Sequence, residues 1–545
     1  MLEHSRCLNL KAMWKCLMMA TILSLLGARA DVARADVARV ASPTCLSDRS
    51  PDRLRGCALA LEKSGKFAQA TLAMRRATDL NPSAANWRYL GELAARAANF
   101  ETACTAFTKA TAMYQKLDPQ AALFLKQTKS GYCQEAQFYT LEGTPTAPAK
   151  LAKFEPPSGL LLGLSAFPDA LRASGGKLPA LEQFGGPLAV YLTYYPLIDP
   201  GSASSNLGVF PREVAQAARE AGAALHLALE PKMPLSSITE ATLIPFAEAA
   251  RDAGLPIFLR FAGEFNDPVN EWSRDPALYV QKFRLVHDVM ARVAPNVAMV
   301  WMPMANGTDC LTRYFPGDAY LDWVGVSLYS VPFLNGNPRF PGENYNPLEQ
   351  VRGIYDCYSA RHPFQVSEYA SSSRTVGLGD ADYCDFATRK LRELFWGAAL
   401  KLPRLKNINW LDLDMGNIRS TIGKGANRQN DYRLLEVPCK LEAFQSLLKE
   451  PYFLERLNTR LSTAPAPFPV LAKAGMRGAA YLRLAAPLER VDYLLDGRAL
   501  SSASYAPFGF SLPPSLKSGN HTLELRALGK GGKLLLSKVQ KFGVK

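Results

Sequence analysis

Between Gly159 and about Leu457 short apolar runs recur, and amphipathic stretches separate most of them. The runs are "GLLLGLSAF", "LAVYLTYYP", "ALHLALEP", "LPIFLRFAGE", "VAMVWMP", "LDWVGVSLY", "FQVSEYA" and "NINWLDLD". Such short runs of aliphatic and aromatic residues read as buried strands, and segments such as "PREVAQAAREAG" and "LIPFAEAARDAG" read as helices. Strands alternating with helices imply parallel pairing, because a parallel neighbour is reached through a crossover. Eight such units predict an α/β fold, a (β/α)8 TIM barrel over residues 159–460.

The flanks have other textures. From Arg53 to about Ala136 the chain is alanine-rich and helical in period, and two segments align at a spacing of about 33 residues. Phe67 matches Phe100, Ala70 matches Ala103 and Ala77 matches Ala110, with "WRYLGELA" opening the second unit. This pattern resembles a tetratricopeptide repeat and predicts an α-helical repeat domain over residues 45–140, either a dock for a protein partner or a spacer. Residues 141–158, rich in proline and small polar residues, read as a linker. Residues 468–545 alternate short apolar segments with turns, and Asp496-Gly497 signals a hairpin. A small all-β sandwich follows, which looks like the immunoglobulin-like modules appended to secreted bacterial enzymes.

Composition narrows the function classes. The net charge is +14, but the basic residues are spread without a dense block, which argues against nucleic acid as a partner. In residues 1–30, Arg6, Lys11 and Lys15 precede "CLMMATILSLLG" and then "ARA", the form of a cleavable export signal. No other stretch is long and apolar enough for a membrane helix, so an exported chain, periplasmic or extracellular, without an integral membrane segment after cleavage is expected. Ten cysteines include Cys7 and Cys16 in that leader. The remaining eight are expected to pair locally as Cys45–Cys57, Cys104–Cys133, Cys310–Cys357 and Cys384–Cys439. With five histidines and no Cys-x-x-Cys or His-Glu-x-x-His, neither a metal site nor a cofactor is expected.

The candidate chemistry lies where strands leave the core. Glu264 closes the fourth run and Glu368 the seventh, and active sites of such barrels form at the C-terminal strand ends. Two carboxyls about 5 to 5.5 Å apart at one mouth suit retaining glycoside hydrolysis, one as nucleophile and one as acid/base. Around these residues the sequence resembles glycoside hydrolase family 26, the β-mannanase and mixed-linkage β-glucanase family. "LEQFGGPLAVYLTYYP", "LALEP", "LPIFLRFAGEFND", "NVAMVWMPMANG", "YFPGDAYLDWVGVSLY" and "PFQVSEYASS" carry the likeness in order. The resemblance implies Glu264 as acid/base, Glu368 as nucleophile and Tyr329 as a hydrogen-bond partner of the nucleophile. It further implies Arg260 as an electrostatic support, Trp410 and Trp272 as sugar-stacking faces, and Asn266, Glu230 and Tyr194 as substrate-binding residues. The expected substrate is a β-linked polysaccharide, with a bacterial exopolysaccharide among the candidates, cut by a retaining endo-β-glycosidase; the alternative is a non-catalytic glycan-binding scaffold of a polysaccharide synthesis or secretion complex. One departure stands out: where the family carries His before the acid/base, this chain has Gly263.

Overall fold

The computed structural model describes residues 43–545 apart from 146, 147, 149, 180, 199–208, 306–309, 339, 340, 376–380, 416–429, 458–460 and 462, so the expected export signal lies outside it. The chain forms two compact units, one ending at Ala122 and one running from Leu123 to Lys545. Among the described residues no helix is long and apolar enough to cross a membrane.

The first unit is built from α1 (Pro51–Lys63), α2 (Phe67–Leu80), α3 (Ala84–Arg96) and α4 (Phe100–Leu117), with α5 (Pro119–Ser130) opening at its end. Ser50, Ser83 and Asn99 cap α1, α3 and α4 by accepting from the backbone N–H of Arg53, Asn86 and Thr102. Ala70, Ala73, Ala77, Ala94 and Ala106 are fully buried, so the helices approach closely. Gly91 answers a specific need, since a Cβ there would lie 2.8 Å from the Phe107 ring.

The second unit opens with β1 (Glu135–Gly143). Eight strands then build the barrel: β2 (Leu160–Ser165), β3 (Val190–Leu197), β4 (Ala224–Pro231), β5 (Ile257–Phe261), β6 (Val297–Trp301), β7 (Trp323–Ser330), β8 (Phe364–Ser371) and β9 (Leu405–Trp410). All neighbours pair in parallel, and β9 pairs back on β2 to close the ring. Outside it pack α6 (Arg212–Glu220), α7 (Glu240–Asp252), α8 (Pro276–Val293), α9 (Pro347–Tyr358), α10 (Cys384–Lys401) and α11 (Pro438–Leu448), and β10 (Phe453–Leu454) adds a short parallel pairing to β2. The eight expected strands are these eight.

Two stretches differ from the sequence reading. Residues 135–143, divided there between repeats and linker, are a strand that pairs antiparallel with segments more than three hundred residues later. Residues 150–158 are more than a linker. Phe154 packs edge-on against Phe258 at 5.7 Å, and the backbone carbonyl of Lys153 accepts from the Trp323 indole at 2.7 Å. Glu155 is buried beside Arg404 at 3.1 Å, so this segment plugs one end of the barrel.

The strands after the barrel are β11 (Ala464–Pro467), β12 (Leu471–Ala472), β13 (Arg477–Arg483), β14 (Arg490–Leu495), β15 (Arg498–Ala503), β16 (Phe510–Ser511), β17 (Gly519–Gly529) and β18 (Lys533–Val544). They form one sheet of order β11-β1-β13-β16 and another of order β12-β18-β17-β14-β15. Phe138 of β1 joins Phe468, Tyr493, Phe510 and Phe542 in the core between them. Asp496 (φ 51°) and Gly497 (φ 78°) make the two-residue turn joining β14 to β15, as their pairing predicts.

Cys45–Cys57, Cys310–Cys357 and Cys384–Cys439 are disulfides, as expected, with Cα separations of 5.9, 5.7 and 6.3 Å. Cys104 and Cys133 are disulfide-bonded as well.

Candidate active site

Inside the barrel the side chains change character along its length. The plugged end is aromatic, with Phe258 and Trp323 edge to face at 5.2 Å. Beyond it comes a fully buried polar group: His226 on β4, Gln365 and Ser367 on β8, and Asn407 and Asn409 on β9. Glycines make the room for them. A Cβ on Gly163 would meet Asn409 Oδ1 at 1.9 Å, and one on Gly325 would meet Ser367 Oγ at 2.4 Å. His226 accepts a 3.3 Å contact from Gln365, and burial keeps its imidazole neutral, its pKa well below the ordinary value.

At the C-terminal end of the strands stands Glu368, 5% exposed, on β8 just after a bulge in its pairing with β7. Burial alone would raise its pKa, but three neighbours reverse that and hold it below the ordinary carboxylate value. Arg260 on β5, itself buried, forms an ion pair with one carboxylate oxygen. The Tyr329 hydroxyl donates to the other oxygen, and the Tyr194 hydroxyl also bonds the carboxylate. Each support is itself held: Arg260 lies over the Tyr194 ring at 5.2 Å, and Tyr329 stacks on Tyr432 at 5.1 Å.

Glu264 arrives differently. It follows β5 on a turn in which Ala262 (φ 45°) and Glu264 (φ 54°) both take the left-handed conformation that ordinary residues avoid. Hydrogen bonds hold this turn from several sides. Glu264 N–H donates to Met302 O at 2.8 Å, Asn270 Nδ2 to Glu264 O at 3.0 Å, and Trp272 Nε1 to Gly263 O at 2.8 Å. Phe265 is fully buried between Tyr279, Trp301 and Tyr314, at ring distances of 4.7 to 5.0 Å. Burial first, and the Glu368 charge second, push the Glu264 carboxyl up to about 7. Ser327 joins the two acids: its hydroxyl donates to Glu264 Oε1, while in the β7–β8 ladder it stands opposite Glu368. The two glutamates expected at one mouth therefore share it, with their ionisation pushed apart.

Gly263, where the resembling family carries His, lies close against the side chains of Met302 and Arg260. A Cβ there would lie 2.8 Å from Met302 Cε and 3.1 Å from Arg260 Cδ, so a larger side chain would push on the arginine that grips Glu368.

No family model matches this chain, and no curated protein matches it. Solved structures do. They include GH26C from Muricauda sp. MAR_2010_75, at 14% identity over 56% of this chain and 91% of that one, with a TM-score of 0.40. Another is the Bacillus subtilis mannanase BCman, at 16% identity over 53% of this chain and 92% of that one, TM-score 0.31. A Bacteroides uniformis β-glucuronidase matches at 10% identity over 73% of this chain, TM-score 0.38, and this chain spans about half its length (48%). At these identities and scores the likeness says nothing beyond the shared barrel.

Several residues expected to touch substrate are spent elsewhere. Trp410 is fully buried; its indole N–H donates to Tyr432 O at 2.8 Å and its ring meets Tyr369 edge to face at 5.4 Å, so it offers no open stacking face. Asn266 uses both ends of its amide on Met304, donating to the carbonyl at 2.9 Å and accepting from the N–H at 2.8 Å. It fastens the acid turn to the end of β6. Trp272, partly buried, props that same turn. Glu230 is ion-paired with Lys232 at 3.0 Å. Sequence reasoning missed Ser327 and Phe265. The alternation Trp323, Gly325, Ser327, Tyr329 along β7 carried the signal for the first, because every second residue of a strand faces the same side.

Proposed function

We propose that the barrel is a retaining endo-β-glycosidase acting on a β-linked polysaccharide. Glu368 is the nucleophile, and Glu264 is the acid that protonates the leaving oxygen and then the base that activates water. The observation that carries this reading is the unequal surroundings of two adjoining glutamates: Arg260 and Tyr329 bind the Glu368 carboxylate, while Glu264 has the Ser327 hydroxyl and, among the described residues, no cation of its own. A double displacement needs one carboxylate free to attack and one carboxyl still holding its proton near neutral pH, and environments that push the two apart are the means. Arg260, Tyr194 and Tyr329 keep Glu368 ionised and oriented. The turn around Gly263 keeps Glu264 partly buried, with Ser327 bonding one oxygen and the other left for the leaving group. The disulfides fit an oxidising compartment, periplasmic or extracellular. The flanking parts read as tetratricopeptide-like repeats and an immunoglobulin-like module, with the repeats a dock for a protein of a polysaccharide synthesis or secretion complex.

The test is Glu368→Ala assayed on a panel of β-glycans and bacterial exopolysaccharides. Turnover should fall by about three orders of magnitude or more. Azide should restore cleavage and give a glycosyl azide of inverted anomeric configuration. Wild-type cleavage that survives the substitution sinks the assignment, and binding without cleavage by wild type favours the scaffold reading.

A further inference from the structure

Away from the barrel mouth, a cavity of about 190 Å3 lies where α10 faces the sandwich. Trp396 and Leu400 of α10 wall one side; Leu482 and Phe508 wall the other. Cations gather there, and most are already satisfied: Arg389 pairs with Glu343 at 2.6 Å, Lys390 with Glu393 at 3.0 Å and Arg483 with Glu349 at 2.8 Å. Arg392 is different. It is half-buried and has no ion-pairing carboxylate among the described residues; Glu442 acts on it at a distance. Its guanidinium instead lies over the Tyr505 ring at 4.7 Å.

Tyr505 is 58% exposed, unusual for a large ring that already carries a cation on one face. Its loop is firmly held. Phe508 N–H donates to Tyr505 O at 2.8 Å, the Tyr493 hydroxyl donates to Phe508 O, and Ala480 N–H donates to Pro507 O at 2.9 Å. The rim therefore presents a fixed aromatic face beside a guanidinium that lacks its counter-ion. A half-desolvated cation of this kind gains from a carboxylate that its fork can bind in bidentate fashion. A tyrosine ring packs against the apolar face of a pyranose. The net charge, +14 for the whole chain and +11 once residues 1–30 (Arg6, Lys11, Lys15 and Arg29 against Glu3) are removed, adds only a general attraction for acidic polymers.

We propose that this cavity is a second glycan site that binds a carboxylate-bearing sugar unit, with Arg392 taking the carboxylate and Tyr505 the ring. The proposal rests on the glycan reading of the barrel and adds to it the chemical class of the polymer, an acidic one. A site on the face between barrel and sandwich would hold the chain while the mouth works on another stretch of it.

The test uses the full chain carrying Glu264→Gln, so that no probe is cut, titrated calorimetrically with hexagalacturonate, hexamannuronate and neutral cellohexaose. At least one acidic hexamer should bind, more weakly as salt rises. Adding Arg392→Gln should weaken that binding by about tenfold or more, the scale of one charge-assisted contact, and Tyr505→Ala should weaken it several-fold. Cellohexaose binding should not change. Arg392→Lys, which keeps the stem and the charge but not the fork, carries the comparison if the glutamine variant does not fold. Acidic hexamers that do not bind the parent, or that bind parent and variants equally, overturn the proposal. Turnover is not read in this experiment. A chain that binds acidic hexamers through Arg392 but cuts nothing keeps this site and loses the hydrolase; a chain that cuts a glycan without Arg392-dependent binding does the reverse.

Discussion

The two glutamates reach the barrel mouth by opposite routes. Glu368 sits in a strand that is bulged just before it but buried at every residue, and is gripped by an arginine and two tyrosines. Glu264 sits on a turn with two left-handed residues, fastened by backbone contacts and by the buried ring of Phe265. The strand supplies an oxygen held by a cation; the strained turn supplies a partly buried carboxyl without a cation of its own among the described residues. One barrel can thus hold two chemically identical side chains in different protonation states, because the charge partners are distributed unevenly and not because the residues differ.

Removing the cation should break this asymmetry most. Arg260→Gln leaves the Glu368 carboxylate buried and unpaired, at a cost of about 3 kcal/mol or more in stability. As a hypothesis motivated by the Arg260–Glu368 ion pair, the Glu368 pKa should rise toward that of Glu264 and activity should drop by about a hundredfold or more. Unchanged chemical denaturation together with unchanged kcat/KM would show that the pair contributes nothing.

The acid side offers a smaller and more directed perturbation. Ser327 donates to Glu264 and so favours its ionised form. Ser327→Ala removes that donor, and the Glu264 pKa should rise further. The general acid must be protonated, so activity falls as pH climbs through this pKa; a higher pKa moves the alkaline limb of kcat/KM to higher pH, by about half a unit to one unit. An alkaline limb that stays in place, or moves to lower pH, would mean that Ser327 does not act on the acid.

The same contrast explains what the sequence disclosed. Glu368 and Glu264 were legible because a carboxylate directly after an apolar run is conspicuous, and eight such runs separated mostly by helical stretches leave few alternatives to a barrel. Strand β1 was not legible, because its partners lie beyond the entire barrel: Phe138 stands opposite Ala480, and nothing local marks that pairing. Phe154 sits in a stretch rich in proline and small residues, where one aromatic ring is a faint signal for a barrel plug. Trp410 misled for a related reason. Its neighbours Asp412 and Asp414 suggest an open strand end, yet Tyr432, from a later segment, accepts its N–H, while Tyr369 packs against the ring. Burial by residues distant in sequence is the term that local pattern cannot supply.

The central claim is that the two carboxyls ionise unequally, and an NMR pH titration of the folded protein with 13C-labelled glutamate side chains reads it directly. Glu264→Gln and Glu368→Gln assign the two resonances. The account predicts one carboxyl titrating near pH 7, lost in the Glu264 variant, and a second titrating below the ordinary glutamate range, lost in the Glu368 variant. Two carboxyls titrating together in the ordinary range, or the order reversed, would contradict it.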